Sequence, residues 1–116
     1  MRNCRRREVK SARHIAIVLV TAPELRVARK IAKALLKGRV AGCVNIVPRM
    51  ESHYWWKERL ESGAEVLMII KTTRGKLAAL EAKVLGEHPY DTPEVISFSL
   101  YSSNGKYLKW LMDNVR

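Results

Sequence analysis

Two segments of this chain are apolar on both sides of an extended backbone, and they restrict its folding more than any other feature. HIAIVLVT (14–21) is apolar at every position from 15 to 20 and rich in β-branched residues. AEVLMIIKTT (64–73) places Val66, Met68 and Ile70 on one face and Leu67 and Ile69 on the other. Side chains alternate across a strand, so each segment reads as a strand buried on both faces. Whatever the chain forms must cover two faces of a sheet.

The remaining pattern supplies cover for one face only. Thr21-Ala-Pro-Glu24 offers a cap, an early proline and a capping-box glutamate. The spacing predicts a helix over 23–37, with Leu25, Ala28, Ala32, Leu35 and Leu36 on one face and Gly38 as its stop. Strands are predicted over 40–48, bent by Pro48, and over 50–57, with ERLESG (58–63) as a turn. A second helix over 74–86 has Leu77, Leu80 and Val84 in register. A strand over 94–101 follows, then a Ser-Asn-Gly turn at 103–105 and a short last helix carrying Tyr107, Leu108, Trp110, Leu111 and Met112.

Strand–helix–strand–strand–helix–strand–helix is the split βαβ plan with a terminal helix, an α+β ferredoxin-like sandwich. Right-handed crossovers place the first and third strands, the most apolar, at the centre. Both main helices then lie on one face, and the short last helix is too small to cover the other. Burial against further copies of the same chain is the simplest remedy.

With 116 residues and 47% hydrophobic residues, the chain suits a single folded domain. The net charge of +11 favours acidic surfaces or nucleic acid as partners. Residues 1–13 carry six Lys/Arg and one Glu, leaving +6 for the other residues. This stretch reads as a disordered basic tail with weak, salt-sensitive affinity for polyanions, and 14–116 as the folded domain. The six-residue run IAIVLV falls short of the ~7–15 apolar residues of a secretory leader, and Pro23 would follow any cleavage after Ala22. No segment approaches the ~20 residues of a membrane span. Cys4 and Cys43 do not form a disulfide framework, so a reduced, cytoplasmic protein is expected.

Chemistry concentrates in EHPYDTPEV (87–95). His88, held extended before Pro89, reads either as a metal ligand or general base beside Glu87, Asp91 or Glu94, or as a structural histidine at a subunit boundary. Lys71 ends an apolar strand and needs a carboxylate or solvent, so a polar cleft of Lys71, His88, Tyr90 and Glu94 is conceivable. His53 reads as a surface residue and Cys43 as a small buried hydrophobe. Tyr54, Trp55, Trp56, Tyr90, Tyr107 and Trp110 could stack on bases, but the third strand has no aromatic residue and no RNA-binding motif. An interface suits them better. The chain has no phosphate loop and no nucleophile elbow.

VTAPE (20–24), GRVAGCVNIVP (38–48), SHYWWK (52–57), EVLMIIKTT (65–73), HPYDTPEVI (88–96) and YLKWL (107–111) together resemble the CutA family of divalent-cation tolerance proteins. The resemblance implies a ferredoxin-like subunit in a tight homotrimer akin to PII signalling proteins, with Tyr54, Trp56, Tyr107 and Trp110 at the trimer interface. It also implies a non-enzymatic scaffold linked to copper and other divalent cations, with no organic cofactor. Val20 stands where some relatives have a cysteine, and Glu87 where some have a second histidine. Of that ligand set His88 remains, with Glu94 as a carboxylate partner for Cu²⁺ or Zn²⁺. The rival reading is a basic nucleic-acid-binding module of the same fold, and a weaker third is a small-molecule enzyme using the Lys71, His88 and Glu94 cleft.

Overall fold

The computed structural model describes residues 9–116. Six strands are present: β1 (Val9–Ser11), β2 (Ile15–Ala22), β3 (Cys43–Trp56), β4 (Arg59–Thr73), β5 (Val95–Ser99) and β6 (Ser102–Asn104). The helices are α1 (Leu25–Lys37), α2 (Leu77–Glu87) and α3 (Gly105–Asn114), with a 3₁₀ turn at Arg74–Lys76 before α2. The main sheet is antiparallel in the order β3-β4-β2-β5. The two most apolar strands are central, as their composition requires, and the fold is the expected ferredoxin-like α+β sandwich. Residues 1–8 of the expected tail lie outside the described residues. Val9–Ser11 does not behave as tail, because it forms a small antiparallel sheet with Ser102–Asn104.

Alternation along β2 and β4 sorts their side chains onto two faces. Val18, Val20, Met68 and Ile70 pack beneath Ala28, Ile31 and Leu35 of α1 and Leu80 and Val84 of α2. Leu35, Ile31 and Met68 are fully buried. Thr72, also fully buried, donates its hydroxyl to the Val40 carbonyl at 2.6 Å, so its polar atom is satisfied within the core. On the opposite face, α3 covers one end only, packing Leu108, Leu111 and Val115 against Ala12 and Ile15. Gly42 permits this approach, since a Cβ there would lie 2.6 Å from Leu111 Cδ1. The rest of that face is open: Ile96 and Phe98 are 52% and 53% exposed.

Element ends are set by local backbone chemistry. Helix α1 closes in a Schellman motif, with Arg39 N–H bonded to the Leu36 carbonyl and Val40 N–H to the Leu35 carbonyl. The left-handed residue is Arg39 (φ 58°), one place after the expected Gly38. Val40 is buried, as is Leu35, and supplies the apolar contact that accompanies this motif. At the start of α1, Glu24 is the cap without a side-chain bond, while Thr21, expected as the cap, is a buried strand residue. Asn104 caps α3 by accepting from Tyr107 N–H at 2.8 Å.

The largest departure from expectation is the β3–β4 hairpin. ERLESG is not a turn; Lys57 and Glu58, at φ 49° and 65°, make a two-residue reversal of the I′ kind, and β4 begins at Arg59. The strands therefore extend as an arm beyond the body of the sheet, with a register shift between Val47 and Met50 and Arg49 at φ 62°. Pro48 is tolerated there because β3 is an edge strand. The arm makes the chain long, 55 Å by 27 Å by 21 Å, with a radius of gyration of 16.0 Å. A compact chain of this size has about 13 Å. Trp55 and Leu60 on the arm are 71% and 69% exposed.

Two substitutions should move stability in opposite directions. Leu35→Ala removes a fully buried side chain and should destabilise by about 2–5 kcal/mol. Glu58→Gly relieves a left-handed non-glycine residue at an exposed turn and should stabilise by about 1 kcal/mol. Chemical denaturation at matched protein concentration measures both.

Candidate functional site

The arm and the 88–94 loop enclose a cleft of about 800 Å³, whose lining includes Thr21, Tyr54, Glu65, Tyr90, Asp91 and Glu94. Its position follows from the fold. Helix α2 ends at Glu87, and His88, extended before Pro89, turns the chain back across the end of β2. His88 is buried, and its Nε2–H donates to the Thr21 carbonyl at 2.7 Å. Its Nδ1 accepts the Tyr90 backbone N–H at 3.2 Å. Both ring nitrogens are therefore engaged within the chain. A cation could take the Nδ1 lone pair only by displacing the Tyr90 amide. In this geometry His88 is the fastening of the loop.

That fastening presents Tyr90 to the cleft. The Tyr90 ring sits 4.8 Å from the His88 ring, and its hydroxyl donates to Glu65 Oε2 at 2.9 Å. Burial, together with the Glu65 carboxylate as hydrogen-bond acceptor and negative charge, pushes the phenol up to about 12. Glu94 lies in the same lining and is exposed. His53 bonds Glu51 at 2.6 Å on the arm, also at the rim.

Lys71 lies elsewhere. It is paired with Ile17 and Cys43, four residues along β2 from Thr21, or about 13 Å at strand spacing. Its ammonium donates to Asn45 Oδ1 and lies 3.9 Å from Cys43 Sγ. The structure thus separates Lys71 from the Tyr90, His88 and Glu94 group, and the single cleft imagined for all four is not formed. Of the two expected outcomes, a carboxylate or solvent, Lys71 takes no carboxylate: it stays partly exposed and bonds an amide. Burial, with the nearby Cys43, raises the Tyr107 phenol, which places that residue of α3 beside the same cluster on the open sheet face. Tyr54, Trp56, Tyr107 and Trp110 are all exposed, the first two on the arm and the last two on α3, where their rings lie 5.6 Å apart, tilted by 33°.

The donor set does not fit a closed divalent-cation site in one chain. His88 is engaged, and no group of three or more His, Cys, Asp or Glu side chains converges among the described residues. The cleft offers carboxylate oxygens and aromatic walls.

Because its raised pKa favours the neutral phenol, Tyr90 should support the fold fully below pH 10. That support should be lost as pH rises from 10 through about 12. Glu65→Gln should bring the tyrosinate absorbance in at lower pH, and Tyr90→Phe should remove this part of the alkaline loss of stability. Paired spectrophotometric and denaturant titrations measure both effects.

The CutA1 divalent ion tolerance protein family matches residues 16–114. The divalent-cation tolerance protein CutA of Thermus thermophilus is 42% identical over 98 residues, covering 84% of this chain and 95% of that protein. Protein CutA 1, chloroplastic, of Oryza sativa is 42% identical over 100 residues, 86% of this chain but only 56% of that longer protein. The crystal structure of rice CutA1 superposes with a TM-score of 0.87 at 39% identity, covering 92% of this chain and 98% of that one. The periplasmic divalent cation tolerance protein CutA from Archaeoglobus fulgidus gives 0.85 at 34% identity, over 88% and 99%. With the family matching residues 16–114 and relatives 42% identical over most of the chain, this chain belongs to the CutA1 divalent ion tolerance protein family.

Proposed function

We propose that the chain acts as a homotrimeric, non-enzymatic scaffold in the tolerance of divalent cations, copper among them, in the manner of a PII-like trimer. One observation carries the assembly: a sheet face of Ile17, Leu19, Leu67, Ile69, Ile96 and Phe98 that α1 and α2 cannot reach and α3 covers only at one end. The exposed arm supports it, because an isolated two-stranded ribbon is marginal in water. Further copies of the chain would cover both, with Tyr54, Trp56, Tyr107 and Trp110 in the contacts.

The link to divalent cations rests on the family. The residues of one chain refine it: a cation would meet Glu94, Glu65 or Asp91 in the cleft and draw its remaining donors from water or a second copy. Such a carboxylate set is weak for Cu²⁺ or Zn²⁺, since the imidazole in the lining, His53, is bonded to Glu51 and no thiolate is present there among the described residues. No helix among the described residues is long and apolar enough to cross a membrane. A cytoplasmic setting is part of this proposal, although relatives include chloroplastic and periplasmic proteins.

Light scattering on the purified protein should give the mass of three chains, and Leu19→Lys should shift it to one. A monomeric wild type would overturn the assembly. Calorimetry with Cu²⁺ and Zn²⁺ should show weak binding that Glu94→Gln reduces several-fold and His88→Ala lowers only as far as it loosens the 88–94 loop. If His88→Ala abolishes binding while the fold and Glu94→Gln binding are intact, His88 is a ligand and the carboxylate assignment fails.

A further inference from the structure

Helix α1 carries Arg26, Arg29, Lys30, Lys33 and Lys37 and no acidic residue. All five are exposed, while Ala28, Ile31, Ala32 and Leu35 are sealed in the core. The buried face fixes the helix, so the cations form one rigid stripe. Arg26/Lys30, Arg29/Lys33 and Lys33/Lys37 are spaced four apart, where like charges oppose helix formation. Arg26 and Arg29 also stand at the end of the helix where the backbone dipole disfavours cations. Lys37, in the last turn, is favoured by the dipole, but the repulsions within the stripe oppose the helix, and a polyanion laid along it would offset them.

Local acids do not cancel the stripe. Glu24 pairs with Arg26 at 2.7 Å, and Glu87 with Lys30 at 3.5 Å. Both pairs are exposed or half-exposed and weak. Arg29, Lys33 and Lys37 have no carboxylate partner among the described residues. Lys83 of α2 extends the stripe, passing so close over Gly38 that a Cβ there would lie 2.5 Å from its Cε. Of the two acids of α2, Glu81 is exposed and Glu87 half-buried.

We infer that the outer face of α1 is a docking surface for the phosphate backbone of a double-stranded nucleic acid, bound without base-sequence preference. Arg26 to Lys37 spans about 16 Å at helical rise. That length runs past several phosphates of one strand, which are spaced about 3.4 Å along the duplex axis. Because the apolar face of α1 is occupied by the core, the helix lies along the phosphates and does not enter a groove. For the same reason it cannot insert into a bilayer: Leu36, at 40%, is the exposed large apolar residue it retains. The stripe lies across the sheet from the open apolar face, so self-assembly through that face leaves it free.

The test is fluorescence anisotropy of a labelled mixed-sequence DNA duplex titrated with the full chain across a salt series. The triple variant Arg29→Gln, Lys33→Gln, Lys37→Gln should bind about tenfold or more weakly at low salt, with a log–log salt slope shallower by about 3. The double variant Lys33→Gln, Lys37→Gln should lose about 2 in slope and serves if the triple variant folds poorly. A charge-matched control (Lys57→Gln, Lys106→Gln, Arg116→Gln) and a deletion of residues 1–8 should each keep most of the affinity. Unchanged binding by the helix variants would overturn the inference. So would an equal loss in the control or the deletion, or retention on anionic vesicles with no binding to the duplex.

Discussion

Two central strands with apolar side chains on both faces are the constraint from which this structure follows. One face of β2 and β4 is closed by α1 and α2, and its register brings Val18 beside Ile70 and Val20 beside Met68. The other brings Leu19 between Ile69 and Ile96, and Ile17 between Lys71 and Phe98, with only α3 to cover one end. Burying apolar area contributes roughly 25 cal/mol per Å², so leaving such a face in water forfeits much of what these strands could contribute. The single chain therefore closes one face of its sheet and leaves most of the other in water.

The same sheet positions the cleft. Strand β2 ends at the point where α2 delivers His88, and the Thr21 carbonyl is the acceptor that secures the loop. Thr21 therefore belongs to the sheet and could not also cap α1. The Tyr90–Glu65 bond then ties this loop to β4, across 25 residues of sequence. Loop, strand and arm form one connected polar system, while Lys71, Asn45 and Cys43 form another further along the open face.

Much of this was legible in the sequence, for reasons that differ by element. Strand order was readable because two-sided apolarity marks central strands without reference to distant partners. The hairpin turn was not, since its left-handed positions hold Lys57 and Glu58 where Asn-Gly would have advertised them. That one misplacement hid more than a turn. With Trp56 opposite Arg59, register propagates to Met50 opposite Glu65 and, after the shift at Pro48–Arg49, to Cys43 opposite Lys71. Lys71's neighbours were thus recoverable in principle from the turn. The Tyr90–Glu65 contact was not, because it depends on how a proline-stiffened loop settles against a strand from which nothing local predicts its distance.

His88 shows how residue type and role separate. A histidine between a helix end and a proline can serve a metal or the backbone, and spacing cannot choose between them. In this structure both nitrogens of the imidazole are engaged within the chain, one as donor to Thr21 and one as acceptor from Tyr90. Neither Val20 nor Glu87 adds a soft donor beside His88, and Val20 is buried in the core under the helices. The polar groups of the cleft are mostly oxygen: Glu65 and Glu94 in the lining, the Tyr90 phenol bonded to Glu65, and Thr21 at the end of β2. A cleft of that composition offers mainly charge and hydrogen bonding, which are hard-donor chemistry, to whatever enters it.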